Sequence, residues 1–138
     1  MAYKIKRNHI VEQLEIEDNG QTVTLDVDLN VDDIIGKYNQ TQYSIARANQ
    51  AAHEAQNGDD MAKAEEMMGE AVISLFNVVF GEVQTEQILT IYQNRYLEML
   101  ADISPFIAEV IQPRIQEAQQ RIADRYKQVS KRGFKQVK

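Results

Sequence analysis

The chain predicts a mainly α, α+β fold: an N-terminal β-hairpin followed by a bundle of four to five helices, the last long and kinked at Pro113. Three observations carry this. Val23, Leu25, Val27 and Leu29 alternate strictly with Thr22, Thr24, Asp26 and Asp28, the period of a strand with one buried and one wet face. From Val31 onward the apolar residues change to steps of three and four, the period of helices. The densest run, Ala71 to Ile115, reads as three helices in a row with broad apolar faces. At 138 residues and 43% hydrophobic, the chain is one domain's worth with a core of its own.

The elements follow in order. Ile10–Glu17 alternates imperfectly but puts Leu14 and Ile16 on one side, and Asp18-Asn19-Gly20 supplies the positive-φ turn of a tight hairpin over about residues 9–29. Asn30 reads as a helix N-cap, with Asp32 and Asp33 at the positive end of the helix dipole. Val31, Ile34, Ile35, Tyr38, Ile45, Ala48, Ala52 and Ala55 then share a face, so the first helix runs to about Gln56. Asn57-Gly58 ends it, and Asp59 or Asp60 caps the second helix. That helix places Met61, Ala64, Met68, Ala71, Val72, Leu75, Phe76, Val79 and Phe80 on one stripe and stops at Gly81.

A third helix opens near Thr85, with Ile88, Ile91, Tyr92, Tyr96, Met99 and Leu100 inward. Ser104-Pro105 reads as the start of the next, because Ser caps and Pro suits a first turn. Pro113 lacks a donor and clashes with the carbonyl four residues back. A kink is therefore expected near Val110–Pro113, or a short helix followed by a separate long one. Beyond it Ile115, Ala118, Ile122, Tyr126 (or Arg125) and Val129 keep a thin 3-4 spacing among glutamines, a stripe suited to a single partner helix. Gly133 ends the order, leaving residues 1–132 as the domain and 133–138 as a disordered basic tail.

Charge is polarised. Residues 1–113 hold 7 Lys or Arg against 19 Asp or Glu, a net of −12, and residues 114–138 hold 8 against 2, a net of +6. An acidic body with a basic end suits an acidic partner or further copies of the chain, or serves solubility. The longest apolar run, Val72–Phe80, is far short of the ~20 residues of a spanning helix. No secretory leader precedes Ile10, so a cytosolic location is expected. The absence of cysteine excludes disulfides, thiolate nucleophiles and Cys-based zinc sites.

Candidate chemistry is thin. Asp26-Val27-Asp28-Leu29-Asn30 imitates half of a calcium loop, but Val31 and Lys37 stand where that loop needs Gly and Glu. His53-Glu54 lacks the second His of a zinc-protease helix, Asn57 standing in its place, and His9 reads as a strand-edge residue. Glu65, Glu66 and Glu70 lie opposite the apolar stripe and read as a solvated face. Met61, Met67, Met68 and Met99 suit an adaptable groove or core packing. Tyr92, Tyr96 and Tyr126 suit core edges and interfaces equally. The expectation is no enzyme, no metal and no cofactor. Nucleic-acid binding by the basic end is disfavoured, because only Tyr126 and Phe134 accompany its charges and the acidic body repels DNA.

Three segments carry a resemblance: Leu75-Phe76-x-x-x-Phe80-Gly81-Glu82, Ile88-Leu89-x-x-Tyr92-x-x-x-Tyr96-x-x-Met99-Leu100, and Pro105-Phe106-Ile107-x-x-Val110-Ile111-x-Pro113-Arg114-Ile115. In this order they resemble small tail-assembly chaperones of long-tailed bacteriophages and prophages of Gram-positive hosts. The likeness spans about Ile34–Ile115. It rests on aromatic and aliphatic spacing with no catalytic signature.

The resemblance implies a non-enzymatic role in the host cytoplasm. There the protein would bind the helical, apolar-rich tape-measure protein and bring tail-tube subunits to it, with weak self-association. It also implies a longer minor product made by ribosomal frameshifting near the end of the frame. Candidate partner-binding residues are Ile115, Ile122, Tyr126 and Val129 on the thin stripe, with Lys131, Arg132 and Lys135 in the basic end. The competing expectations are a structural tail or connector subunit and a small nucleic-acid-binding regulator.

Overall fold

A computed structural model describes residues 2–5, 10–29 and 31–136, and the side chains within these ranges except at 10, 31–33 and 131–136. Strands β1 (Ile10–Asp18) and β2 (Gln21–Leu29) form an antiparallel hairpin. Asn19 and Gly20 both take positive φ, 51° and 79°, and place Asp18 opposite Gln21. This is the geometry that Asn-Gly favours in a two-residue hairpin turn. The resulting register puts Leu14 opposite Leu25 and Ile16 opposite Val23, so the apolar residues of both strands share a face. Leu25, Val27 and Leu29 are buried on it.

The helices are α1 (Val31–Glu54), α2 (Gly58–Phe80), α3 (Glu82–Tyr92), α4 (Tyr96–Phe106) and α5 (Gln112–Gln136), with a π-helical turn over Ile107–Ile111 between the last two. The short 55–57 connection folds α1 and α2 into a helical hairpin. The α2 stripe is buried as expected except for Met61, which is 41% exposed. Hairpin and helices share one core, in which Phe76 is fully buried and meets Phe80 edge-on at 5.8 Å between ring centroids.

The β2 edge is closed by a side chain. The Gln84 amide accepts from the Asp26 N–H at 2.8 Å and donates to the Asp26 carbonyl at 2.6 Å and the Phe80 carbonyl at 2.8 Å. It thereby takes the place of one residue of a neighbouring strand and ties the hairpin to the α2–α3 corner. On β1, Glu12 lies opposite Val27 on the inward face and pairs with Arg114 at 3.6 Å. An inward-pointing charge of this kind disfavours edge-to-edge pairing.

Several local expectations are corrected. The α2 cap is Asn57, not Asp59 or Asp60: its side chain accepts from the Asp60 N–H at 2.9 Å. The third helix is two helices, broken where Gln93 and Asn94 both adopt positive φ. The Asn94 N–H returns to the Leu89 carbonyl at 3.0 Å, closing α3 in the manner of a Schellman turn. No helix starts at Ser104-Pro105, because Pro105 lies inside α4. Burial of Met99, Ile103 and Ile107 on one line outweighs the local start signal there. Helix α5 also continues through Gly133 to Gln136, so the end read at Gly133 moves on. One glycine costs a helix only about 1 kcal/mol. The cap expected of Asn30 and the strand edge expected of His9 lie outside the described residues.

The disturbance expected at Pro113 is present as the π turn rather than as two separate helices. Phe106, Ile107 and Gln112 all keep right-handed helical dihedrals, so α4, the π turn and α5 run on as one rod. The Gln112 N–H bonds five residues back, to the Ile107 carbonyl. Buried residues follow the rod at a spacing of four: Met99, Ile103, Ile107, Ile111 and Ile115. In an α-helix each such step overshoots a full turn by about 40°, so four steps would carry Ile115 about 160° away from Met99. The extra residue of the π turn takes up about 100° of that drift and keeps the line on the core.

Candidate functional site

Past the π turn, one helical face carries Ile115, Ala118, Ile122, Tyr126 and Val129 in sequence. Its first part is core, with Ile115 3% and Ala118 8% exposed. Its second part is bare, with Ile122 45%, Tyr126 74% and Val129 68% exposed, and every side chain from Gln120 to Val129 is exposed. Ile115 is therefore corrected from partner-binding candidate to core residue, because α5 is still packed on the body at that point. Ile122, Tyr126 and Val129 stand together on the surface as the spacing predicted. Lys131, Arg132 and Lys135 lie on helical backbone, but their side chains are outside the described residues.

The distal helix extends about 27 Å beyond Ala118 at 1.5 Å per residue. Arg121 and Arg125 follow one flank of the bare stripe, while Asp124 lies on the opposite side and accepts from Gln120 Nε2 at 3.0 Å. An apolar line beside cations suits an amphipathic, acidic surface.

A second apolar surface includes two methionines of the cluster that suited either a groove or the core, Met61 and Met68, while the rest of its lining was not anticipated. An open groove of about 590 Å³ lies where the end of α1, the start of α2 and the start of α4 meet. Ala48, Ala52 and Ala64 form its floor, Met61, Met68, Tyr96 and Leu97 its walls, and Glu65, Arg95 and Glu98 its rim. Leu97 is 67% exposed. Arg95 lies 3.7 Å from Glu98 and is thus partly neutralised. Gly69 helps to shape the wall, since a Cβ there would meet the Tyr96 ring at 3.0 Å. Small residues facing a larger side chain across a helix crossing were the available sequence signal, but they come from three distant segments.

The Met cluster divides accordingly: Met68 and Met99 are buried, while Met61 and Met67 reach the surface. Glu65, Glu66, Glu70 and His53 are all exposed. Among the described residues, no three His, Cys, Asp or Glu side chains gather so as to hold a metal ion. Within them, no helix is long and apolar enough to cross a membrane. The Tyr92 hydroxyl is raised to about 12 by burial and then by donating to the Asp102 carboxylate at 2.9 Å. That contact clamps α3 to α4 and faces neither apolar surface.

In comparisons with known proteins, no family model, no curated protein and no solved structure matches the chain.

Proposed function

We propose that the protein is a non-enzymatic tail-assembly chaperone of a long-tailed bacteriophage or prophage, acting in the host cytoplasm. On this reading it shields the apolar-rich helical tape-measure protein and helps bring tail-tube subunits to it. The observation that carries the reading is the apolar stripe of α5, which leaves the core at Ala118 and continues bare through Ile122, Tyr126 and Val129. Helix-to-helix recognition needs such anchors at i, i+4 and i+7. The segments that resemble this family supply the identity of the partner, and the stripe supplies the means of holding it. Three anchors make a modest interface, as a chaperone that must later release its client requires.

The test is co-purification of the chain with a helical, apolar-rich tape-measure protein of a long-tailed phage. Ile122→Asp with Val129→Asp abolishes capture while far-UV circular dichroism is unchanged, since both side chains are exposed. Retention of the protein in purified virions would replace the chaperone reading with that of a structural tail subunit. Steeply salt-dependent DNA binding in place of capture would replace it with a regulator. A slippery heptamer in the nucleotides encoding Gln120–Lys138, followed by an overlapping frame, adds independent support.

A further inference from the structure

We infer that the bare distal half of α5 docks in the Met61–Leu97 groove of a second copy of this chain, so that copies associate head to tail. Each copy has two unpartnered apolar surfaces of complementary form. One is a convex line, Ile122–Tyr126–Val129, spanning about 10 Å along a helix; the other is a concave groove of about 590 Å³. In this structure the groove is open and the stripe is exposed on the same molecule, so neither covers the other.

Charge selects the occupant. The groove belongs to the part of the chain with a net of −12, and its rim of Glu65, Glu98 and Arg95, the last paired with Glu98 at 3.7 Å, keeps a net negative charge, whereas the segment bearing the stripe has a net of +6. Arg121 and Arg125 beside the stripe meet that rim with opposite sign. Stripe against stripe would instead bring two basic helices together. Groove and stripe are different surfaces, so the contact is heterologous. A pair keeps one free groove and one free stripe, and growth continues unless a ring closes. One face of a short helix buries less than the roughly 1,600 Å² of a standard interface, so assembly is weak and concentration-dependent. The inference does not rest on the chaperone reading, because its test uses this protein alone.

The experiment is sedimentation velocity of the full-length protein from about 1 to about 300 µM, a range in which small interfaces assemble. Wild type is expected to form species beyond dimer, which shrink when salt is raised. The stripe variant (Ile122→Asp with Val129→Asp) and the groove variant Leu97→Lys are each expected to stay monomeric. Mixed together they form a dimer and stop there, because only one intact groove and one intact stripe remain.

A wild-type chain that stays monomeric throughout overturns the inference. So does a groove variant that associates like wild type, which would indicate stripe-to-stripe pairing. Cross-linking gives a reading that does not depend on the charge variants, since the chain has no cysteine of its own. Leu97→Cys mixed with Tyr126→Cys under oxidation yields mainly the mixed disulfide if the contact is head to tail. A statistical mixture of homodimers and heterodimers refutes it.

Discussion

The π turn holds the buried line of the α4–α5 rod on the core by one extra residue. Deleting Ala108, an exposed residue of that turn, removes the extra residue. The buried line Met99, Ile103, Ile107, Ile111, Ile115 and Ala118 then changes from intervals of 4-4-4-4-3 to intervals of 4-4-3-4-3. That second pattern is what a regular α-helix needs to keep one face on a core. The deletion alone, however, restores the clash between the Pro113 ring and the carbonyl four residues back, at a cost of about 3 kcal/mol. Combined with Pro113→Ala the clash disappears, and stability returns to within about 1 kcal/mol of wild type.

The control is deletion of Ala101, which is also exposed but lies in regular helix. It rotates Ile103 and Ile107 about 100° off the core. At roughly 1.5–3 kcal/mol per aliphatic side chain, this costs about 3–6 kcal/mol even if the π turn relaxes to recover the residues beyond. Urea unfolding followed by far-UV circular dichroism measures all of these variants. If the Ala108 deletion with Pro113→Ala is as damaged as the Ala101 deletion, the π turn is not a register device. If the Ala108 deletion is equally stable with and without Pro113, the proline is not what requires the turn.

Other consequences follow from single contacts. Gln84→Met keeps the side-chain length but loses the bonds to Asp26 and Phe80; it is expected to cost about 1–2 kcal/mol, since water replaces part of what is lost, and to speed amide exchange at Asp26 measured by NMR. Phe76→Ala empties a fully buried site and is expected to cost about 3–5 kcal/mol in urea unfolding. Tyr92 titrates up at about 12, so its contribution to stability is complete below about pH 10 and is lost as pH rises through 12. Absorbance titration of Tyr92→Phe should therefore lack the latest-ionising tyrosine.

The elements legible in the sequence are those in which one local signal decides. Strict alternation from Val23 to Leu29 and Asn19-Gly20 left a single register for the hairpin. The α2 stripe needed only its period. Degenerate signals misled: Asn57, Asp59 and Asp60 are all good caps, and only the packed position of α2 selects Asn57. Ser104-Pro105 is a proper start signal in isolation, yet the burial of Met99 and Ile103 on either side of one turn keeps the helix going. Likewise the spacing that marked Ile122, Tyr126 and Val129 could not show where the stripe leaves the core, because Ile115 fits the same pattern. That point depends on where the body ends. The groove was legible only in part, through Met61 and Met68, for a related reason: Ala48, Ala64 and Leu97 join them in one surface only after three segments have packed.

The junction at Ala118 also explains how an unpartnered helix remains helical. A free helix of this length is marginal in water, because forming its first turn fixes several residues for a single hydrogen bond. Distal α5 does not face that step. Its first turns are held by Ile111, Ile115 and Ala118 in the core, so each further residue only propagates an existing helix. The ordering entropy that a disordered binding segment would lose on docking is thus already spent during folding. Ile122, Tyr126 and Val129 are held in register before any partner arrives. On the proposed reading a small apolar contact is then enough to bind at that surface, and loss of the anchor at Ile115 should weaken binding even though Ile115 is itself buried.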